Sequence, residues 1–597
     1  MCGINLVLNA RKGDIAIHRM MEATKHRGPD HSSWVGINEK VFIAGNRLKI
    51  LDLRDVANQP LLSDDGKLAL VWNGALYNYQ ELRNRLLERG EAFRSHSDGE
   101  VLLKWLGAFG SEGIKQLRGM FAIVFVDSNK KQVLLARDPV GMKPLYYYHR
   151  DHVLLCSSES KSILLSGLVS ATVDRKQYAP YFYCRHGMPD ASFFEDLLQV
   201  LPGEVKLYGF EGQHIASHQL EMEQHAEQTP TKEVFKELLT DAVLRQFHAD
   251  VPVGVLLSGG ADSSLLYQLW YKETGIPLHT YTVGFGKAYR DQYDDASFAA
   301  EVAGKYPGAH HEIQVDPQTV LEVWPEYVKT LDQPVGDSAS ILTWILAREA
   351  NKQVKVLASG AGADELFGGY NRHKAFSHYL ARPVFWNFLS RLNLEKIPLG
   401  REKRKFLASI HASPERTFMN FSALGNLPDS LATQLRPYYP RQLSDYKAAL
   451  EWDRTFYLVN DVLKIHDNAC MAHGIEGRAP YLDWSLVSLS RGMTEAEHLR
   501  RRNKIWIREL LREEGLGRVA DRRKLGFGLP IREWIRDNKN FRETVFSEIG
   551  AFEKKHGNAF PPVMRKIAQN PVSYYKEGFL FVWNLFVLSS WIRENGL

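Results

Sequence analysis

Val251-Pro-Val-Gly-Val-Leu-Leu257 runs directly into Ser258-Gly-Gly-Ala-Asp-Ser-Ser264 and on into the apolar helical stretch Ser263–Lys272. An apolar run, a glycine loop and a helix, in that order, is the layout a phosphate site needs. Glycines let backbone N–H groups close on an anion, and the helix N-terminus adds its dipole. Ser258, Ser263 and Ser264 supply hydroxyl donors, whereas Asp262 repels bare phosphate and makes sense through a bridging Mg²⁺. The loop lacks a Walker-type lysine, so γ-phosphate transfer is not implied. A capped helix after a glycine turn uses the same residues and remains the plain alternative. A second stretch, Val356-Leu-Ala-Ser-Gly-Ala-Gly-Ala-Asp-Glu365, again ends an apolar run in Ser, Gly and carboxylates. Parallel strands of one sheet deliver their C-terminal ends to the same edge, which would let Asp262 and Asp364 share a metal.

Around these loops lie the further short apolar runs Thr280–Phe285, Glu312–Val315 and Val354–Ala358, several separated by helical segments such as Ser338–Asn351. That alternation predicts an α/β doubly wound parallel sheet. From about Gly369 onward the chain is mostly helical, and the basic clusters Arg401–Lys405 and Arg500–Lys504 are expected to coat solvated faces. Phe579–Ile592 is too short to span a bilayer and contains Asn584 and two serines, so a buried terminal helix is expected. Residues 1–210 differ in texture. Ile4–Leu8, Val41–Gly45, Leu68–Trp72, Phe121–Asp127 and Val133–Arg137 read as short strands, with helical periodicity in Gln80–Arg89 and Glu100–Phe109. They predict a layered α+β unit of antiparallel sheets. A polar stretch ending in Thr229-Pro230-Thr231 reads as a connector, which divides the chain into residues 2–210, 211–231 and 232–597.

The 597 residues are 44% hydrophobic and 24% charged, an ordinary globular composition. Lys and Arg total 75 against 70 Asp and Glu, and +5 is too small for this length to be a nucleic-acid footprint. None of Cys2, Cys156, Cys184 and Cys470 has the spacing of a zinc site, a redox pair or a disulfide framework. The N-terminus lacks the charged and apolar regions of a signal peptide, so a cytoplasmic location with reduced thiols is expected. Neither a nucleic-acid nor a membrane partner is suggested.

In Met1-Cys2-Gly3-Ile4 a small residue follows the initiator, so removal of Met1 would leave Cys2 as the new N-terminus. Its α-amine, with a pKa near about 8, is then able to act as base for its own thiol. A buried free cysteine in a first strand is the other reading. Four further motifs accompany it: His26-Arg-Gly-Pro-Asp30, Asn46-Arg-Leu48, Trp72-Asn-Gly-Ala-Leu-Tyr-Asn78 and Ser97-Asp-Gly-Glu100. Singly, Asn73-Gly74 suits a hairpin turn, and Arg47 and Asp98 suit surface charges.

Together these motifs resemble class II glutamine amidotransferases, the N-terminal nucleophile hydrolases that release ammonia from glutamine. The resemblance implies Cys2 as nucleophile, Arg47 on the glutamine carboxylate and Asp98 on its α-ammonium. It also implies an oxyanion hole of Asn73 and the N–H of Gly74. Ser258–Ser264 resembles the PP-loop of ATP pyrophosphatases, SGGxDS, whose members cut ATP between the α and β phosphates. Both units in one chain resemble glutamine-dependent asparagine synthetases, as do His466–Asp483, read as a helical segment with an E-x-R-x-P-x-L-D signature, and Arg522–Pro530. That resemblance implies glutamine, ATP and aspartate as substrates and an internal ammonia channel. Ser258, Gly259, Gly260, Asp262, Ser263 and Ser264 would hold the phosphates, with Leu256, Val283, Ser359 and Gly360 around the adenosine. Mg²⁺ would sit on Asp262 and Asp364, and Lys524 would neutralise developing charge, although spacing alone makes Lys524 a solvated lysine. Dimers are frequent in that family, so a homodimer is expected. Two departures stand out: the family writes NGEIYN and SGEGxDE where this chain has Ala75 and Ala361. A methyl accepts no proton, which leaves open a related synthetase that adenylates a different carboxylate, a metabolite or a sugar acid. The intact Cys2, Ser258–Ser264 and Lys524 argue against a storage or scaffold protein.

Overall fold

In the first strand, β1 (Cys2–Leu8), Cys2, Ile4, Leu6 and Leu8 face one core while Val7 faces another, the two-residue period of a strand buried on both sides. The computed structural model describes residues 2–220, 229–286, 289, 293, 295–392, 400–499, 503–522 and 526–597. Beside β1 runs β3 (Val41–Arg47), with Cys2 opposite Arg47, and beyond it β2 (His31–Gly36). On the other flank lie β9 (Val153–Ser157), β8 (Tyr146–Arg150) and β10 (Leu197–Gln199), completing a six-stranded antiparallel sheet.

A second antiparallel sheet runs from β4 (Leu61–Leu62) through β5 (Leu68–Leu76), β6 (Gly119–Asp127), β7 (Gln132–Arg137) and β11 (Glu204–Gly209) to β12 (His214–Gln219). The sheets share a core in which Ile4, Leu6 and Ile43 meet Val71, Ala122 and Val124. The outer face of the second sheet packs through Leu70, Trp72 and Ile123 on the helices Tyr79–Glu88 and Asp98–Phe109. This is the layered α+β arrangement expected. β12 falls inside the stretch read as connector. Its polar composition is that of an edge strand with one wet side.

In the second half, β13 (Val253–Leu256), β14 (His279–Phe285), β15 (His310–Val315), β16 (Val356–Ala358) and β17 (Glu476–Arg478) form a wholly parallel sheet in the order β15-β14-β13-β16-β17. Strand order reverses between β13 and β16, and their C-terminal ends make the crevice where doubly wound sheets bind ligands. β17 corrects the reading of His466–Asp483 as helix. Helix Leu463–Met471 stops there, and the E-x-R of the signature is itself the fifth strand.

The halves are fused by shared core and buried charge. The helix Phe579–Glu594 is buried as expected, and its Trp583, Phe586 and Trp591 share one core with Tyr181, Phe182 and Phe193 of the first half. Asn584 accepts a 2.9 Å bond at its carbonyl from the Tyr181 hydroxyl. Arg27, fully buried, bonds Glu159 at 3.0 Å and reaches across to Asp467 at 2.8 Å. Removing one partner of such a buried pair costs about 3–5 kcal/mol, because the other charge is left stranded. Among the described residues no helix is long and apolar enough to cross a membrane.

Candidate active sites

Cys2 opens β1 at the floor of a cavity of about 320 Å³ lined also by Arg47, Gly74, Asp98, Glu476 and Arg478. Asn73 and Gly74 lie inside β5, not in a turn. Gly74 is needed for close approach, since a methyl there would stand 2.0 Å from the Met120 carbonyl oxygen on β6. The Cys2 N–H donates to Asn73 Oδ1 at 3.0 Å, and Gln59 Nε2 donates to Cys2 Sγ at 3.0 Å. With its oxygen so engaged, Asn73 presents an Nδ2 that is buried and has no hydrogen-bond partner. A buried amide donor left unspent costs about 1–3 kcal/mol unless something arrives to accept from it. Burial pushes the Cys2 thiol up, opposed by the chain-terminal ammonium and Arg47.

Neither Arg47 nor Asp98 is a surface charge. Arg47 is buried, its guanidinium aimed by the carbonyls of Leu51, Asp52 and Arg54 and by Asn58 Oδ1. Asp98 begins the helix Asp98–Phe109 behind its cap Ser97 and accepts from the Leu76 N–H at 3.1 Å. Burial raises its carboxyl to about 6 despite that bond. The far wall comes from the second half: Arg478 donates to Glu476 at 2.5 Å and to the carbonyls of Gln246 and His248. Burial alone would raise Glu476, but Arg478 and the other nearby cations outweigh it and hold the carboxyl at about 2.

At the second site Gly259 has φ +63°, a left-handed turn between β13 and the helix Ala261–Thr274 that favours glycine. Ser263 Oγ accepts from the Ser258 N–H at 3.2 Å, and Ser264 Oγ donates to the Gly260 carbonyl at 2.7 Å. The loop after β16 meets this one closely: a methyl on Gly360 would stand 2.8 Å from Asp262 Cβ. Ser359 N–H donates to the Arg478 carbonyl at 2.9 Å, so β17 touches both sites. Leu256 ends β13 and Val283 lies near the end of β14, at the same sheet edge as Ser359 and Gly360.

Between Asp262 and Asp364 stands a residue not singled out from the sequence. Lys504 Nζ is 2.6 Å from Asp262 Oδ2 and 2.7 Å from Asp364 Oδ1. The lysine is buried, with left-handed φ of +55°, at the start of the helix Ile505–Glu513. Burial lowers its pKa, but the two carboxylates outweigh that and raise the ammonium above its ordinary value. Asp262 Oδ1 is buried with no hydrogen-bond partner, so the pair keeps a lone pair for a further cation. Sequence placed Lys504 at the end of a solvated cluster, and nothing in its spacing marked it. Lys524, the lysine singled out by resemblance, lies outside the described residues.

Ala361 is half-buried against apolar neighbours, its N–H donating to Ser359 Oγ at 3.4 Å. Further carboxylates lie deeper. Glu365 is buried and accepts from the Tyr370 hydroxyl. Asp461, also buried, has Arg185 Nε at 3.3 Å, and Arg185 bonds Asp337 at 2.8 Å. Burial raises Asp461 to about 7, with Arg185 lowering it and Asp337 and Glu365 adding to the rise. Arg185 belongs to the first half, so this buried charge cluster spans both halves.

Comparison with known proteins gives the family. The family model described as asparagine synthase matches residues 234–593, and the one described as glutamine amidotransferase domain matches residues 1–219. Glutamine-hydrolyzing asparagine synthetase 1 of Bacillus subtilis (strain 168) is 29% identical over 582 residues, spanning 90% of this chain and 89% of that protein. A putative glutamine-hydrolyzing asparagine synthetase of Mycobacterium tuberculosis (strain ATCC 25618 / H37Rv) is 30% identical over 595 residues, 91% of this chain and 88% of that one. A solved glutamine phosphoribosylpyrophosphate amidotransferase from B. subtilis aligns with a TM-score of 0.28 and 15% identity, over 60% of this chain and 82% of its own. With more than half its length inside the synthase model and a relative at 30% identity covered almost end to end, the chain belongs to the asparagine synthase family.

Proposed function

We propose that this chain is a glutamine-hydrolysing asparagine synthetase, with its glutaminase in residues 2–210 and its ATP-dependent synthetase in residues 232–597. The observation that carries the reading is the unspent Asn73 Nδ2 beside a thiol whose own N–H is held by the same side chain. Once Met1 is removed, the Cys2 amine takes the thiol proton and Sγ attacks the glutamine amide carbon. Asn73 Nδ2 and the Gly74 N–H then take up the developing oxyanion, while Arg47 and Asp98 hold the α-carboxylate and α-ammonium. Water releases glutamate from the thioester, and ammonia leaves toward the second half, shielded from bulk water that would protonate it.

At the second site the two serine-glycine loops hold ATP at the sheet edge, with Leu256 and Val283 near the adenosine. The acceptor carboxylate attacks the α-phosphate, giving an acyl-adenylate and pyrophosphate. Asp262 and Asp364 fit Mg²⁺ arriving with the nucleotide, and the ion would supply charge neutralisation to the leaving pyrophosphate. Lys504, released from the carboxylates, serves the same charge, and Lys524 is proposed to do so too. Ala361 offers no proton acceptor for the attack of ammonia.

Purified protein given glutamine, ATP, Mg²⁺ and aspartate should yield asparagine, glutamate, AMP and pyrophosphate. ADP in place of AMP would overturn the reading. Ala361 favours one alternative, an acceptor other than aspartate. Pyrophosphate release that depends on another carboxylate, with none on aspartate, would select it.

A further inference from the structure

Helix Pro383–Ser390 has no buried residue. Its inner side holds Trp386, which stacks edge-on against Phe406 of the helix Arg401–Ser409 at 5.1 Å and donates Nε1–H to the His378 carbonyl at 3.1 Å. The outer side is apolar and open. Val384, Phe385 and Phe388 are 82%, 50% and 64% exposed, and Leu392, one turn on, is 45% exposed. Positions 384, 385 and 388 fall at i, i+1 and i+4 on the helix, so the three side chains form one stripe, with Leu392 two residues past its end. Soluble surfaces scatter such residues singly, and a contiguous stripe marks a contact.

The charge around the stripe identifies the contact. The described residues between 382 and 405 carry Arg382, Arg391, Arg401, Lys403, Arg404 and Lys405 against Glu402. Six cations against one anion leave +5, which equals the formal charge of the whole chain, so the other residues sum to zero. Glu402, Lys403, Arg404 and Lys405 are exposed on the helix next to the stripe. We propose that these two helices form a peripheral docking element for an anionic lipid surface: Phe385, Phe388, Val384 and Leu392 enter the headgroup layer, and the flanking cations meet lipid phosphates. A second copy of the chain fits poorly, since it would bring +5 against +5. A nucleic acid would use the cations and leave the apolar stripe in water. The stripe is far too short to cross a bilayer, so contact is reversible and salt-sensitive.

The test is cosedimentation of the full chain with vesicles of phosphatidylcholine containing phosphatidylglycerol, and with phosphatidylcholine alone. The chain should pellet with the anionic vesicles at low salt and be released by high salt. Phe385→Ser with Phe388→Ser, and separately Lys403→Glu with Arg404→Glu, should each weaken pelleting at least about tenfold. Glutamine hydrolysis and melting temperature should stay unchanged, which separates lost docking from lost folding. Wild-type chain that stays in the supernatant at low salt, or variants that pellet like wild type, would overturn the proposal. So would a larger species that Phe388→Ser dissociates, which would assign the stripe to a second copy. The outcome is independent of whether aspartate is the acceptor.

Discussion

In the Cys2 cavity the two groups proposed to grip glutamine stand apart, Arg47 held by loop carbonyls and Asp98 by a backbone N–H, neither paired with the other. At the phosphate loops the charges are already spent on one another, with Lys504 within 2.7 Å of both Asp262 and Asp364. One site waits open for a small neutral or zwitterionic molecule. The other is electrostatically closed, so that a polyanion bringing its own cation has to exchange partners with the lysine. Two carboxylates facing each other without a counter-ion would repel, and neutralising them in the resting state keeps both loops in place.

The largest test of that contrast is Cys2→Ala. Glutamine-dependent amide formation should fall on the order of 10⁴-fold or more, while ammonium chloride still supports pyrophosphate release and amide formation. Loss of both would mean that the sites are not separable. Next comes Asn73→Ala, which should lower kcat for glutamine hydrolysis by about 10²–10³ with little change in KM, the signature of a donor used only in the transition state.

Lys504→Met probes the closed site. Pyrophosphate release should drop about 10²-fold, and the nucleotide-free protein should now retain Mn²⁺, read by electron paramagnetic resonance, where wild type leaves the ion free. Equal Mn²⁺ retention by both would show that the lysine does not guard the pair. The smallest effect is on pH. Asp98 has its carboxyl raised to about 6, so it is anionic above that pH and takes up a proton below it. KM for glutamine should therefore rise by up to about tenfold per pH unit as pH falls below 6. Asp98→Asn should remove that dependence and leave KM high throughout.

Much of this was legible from residues. The continuous apolar runs Val41–Gly45 and Leu68–Trp72 marked strands because both faces of each pack in a core, and both serine-glycine loops announced themselves by ending apolar runs. Three features were not legible. β17 is three residues long and contains a glycine between two charged residues, so it carries no hydrophobic signal and exists because β16 offers it a free edge. Asn73-Gly74 has the composition of a turn, yet the approach of the Met120 carbonyl keeps it in a strand. Lys504 belongs to a basic cluster whose pattern says solvent, and only the folded arrangement sets it between two carboxylates some 240 and 140 residues earlier in the chain.

The strand Glu476–Arg478 has a mechanical consequence. Its last carbonyl receives the Ser359 N–H, while the Arg478 guanidinium reaches into the Cys2 cavity wall. The second loop is therefore hydrogen-bonded to the same residue that presents that guanidinium. The linkage is one residue long and needs no swing of whole domains. Arg478 thus belongs to both places at once, bonded to the second loop through its carbonyl and lining the Cys2 cavity with its side chain.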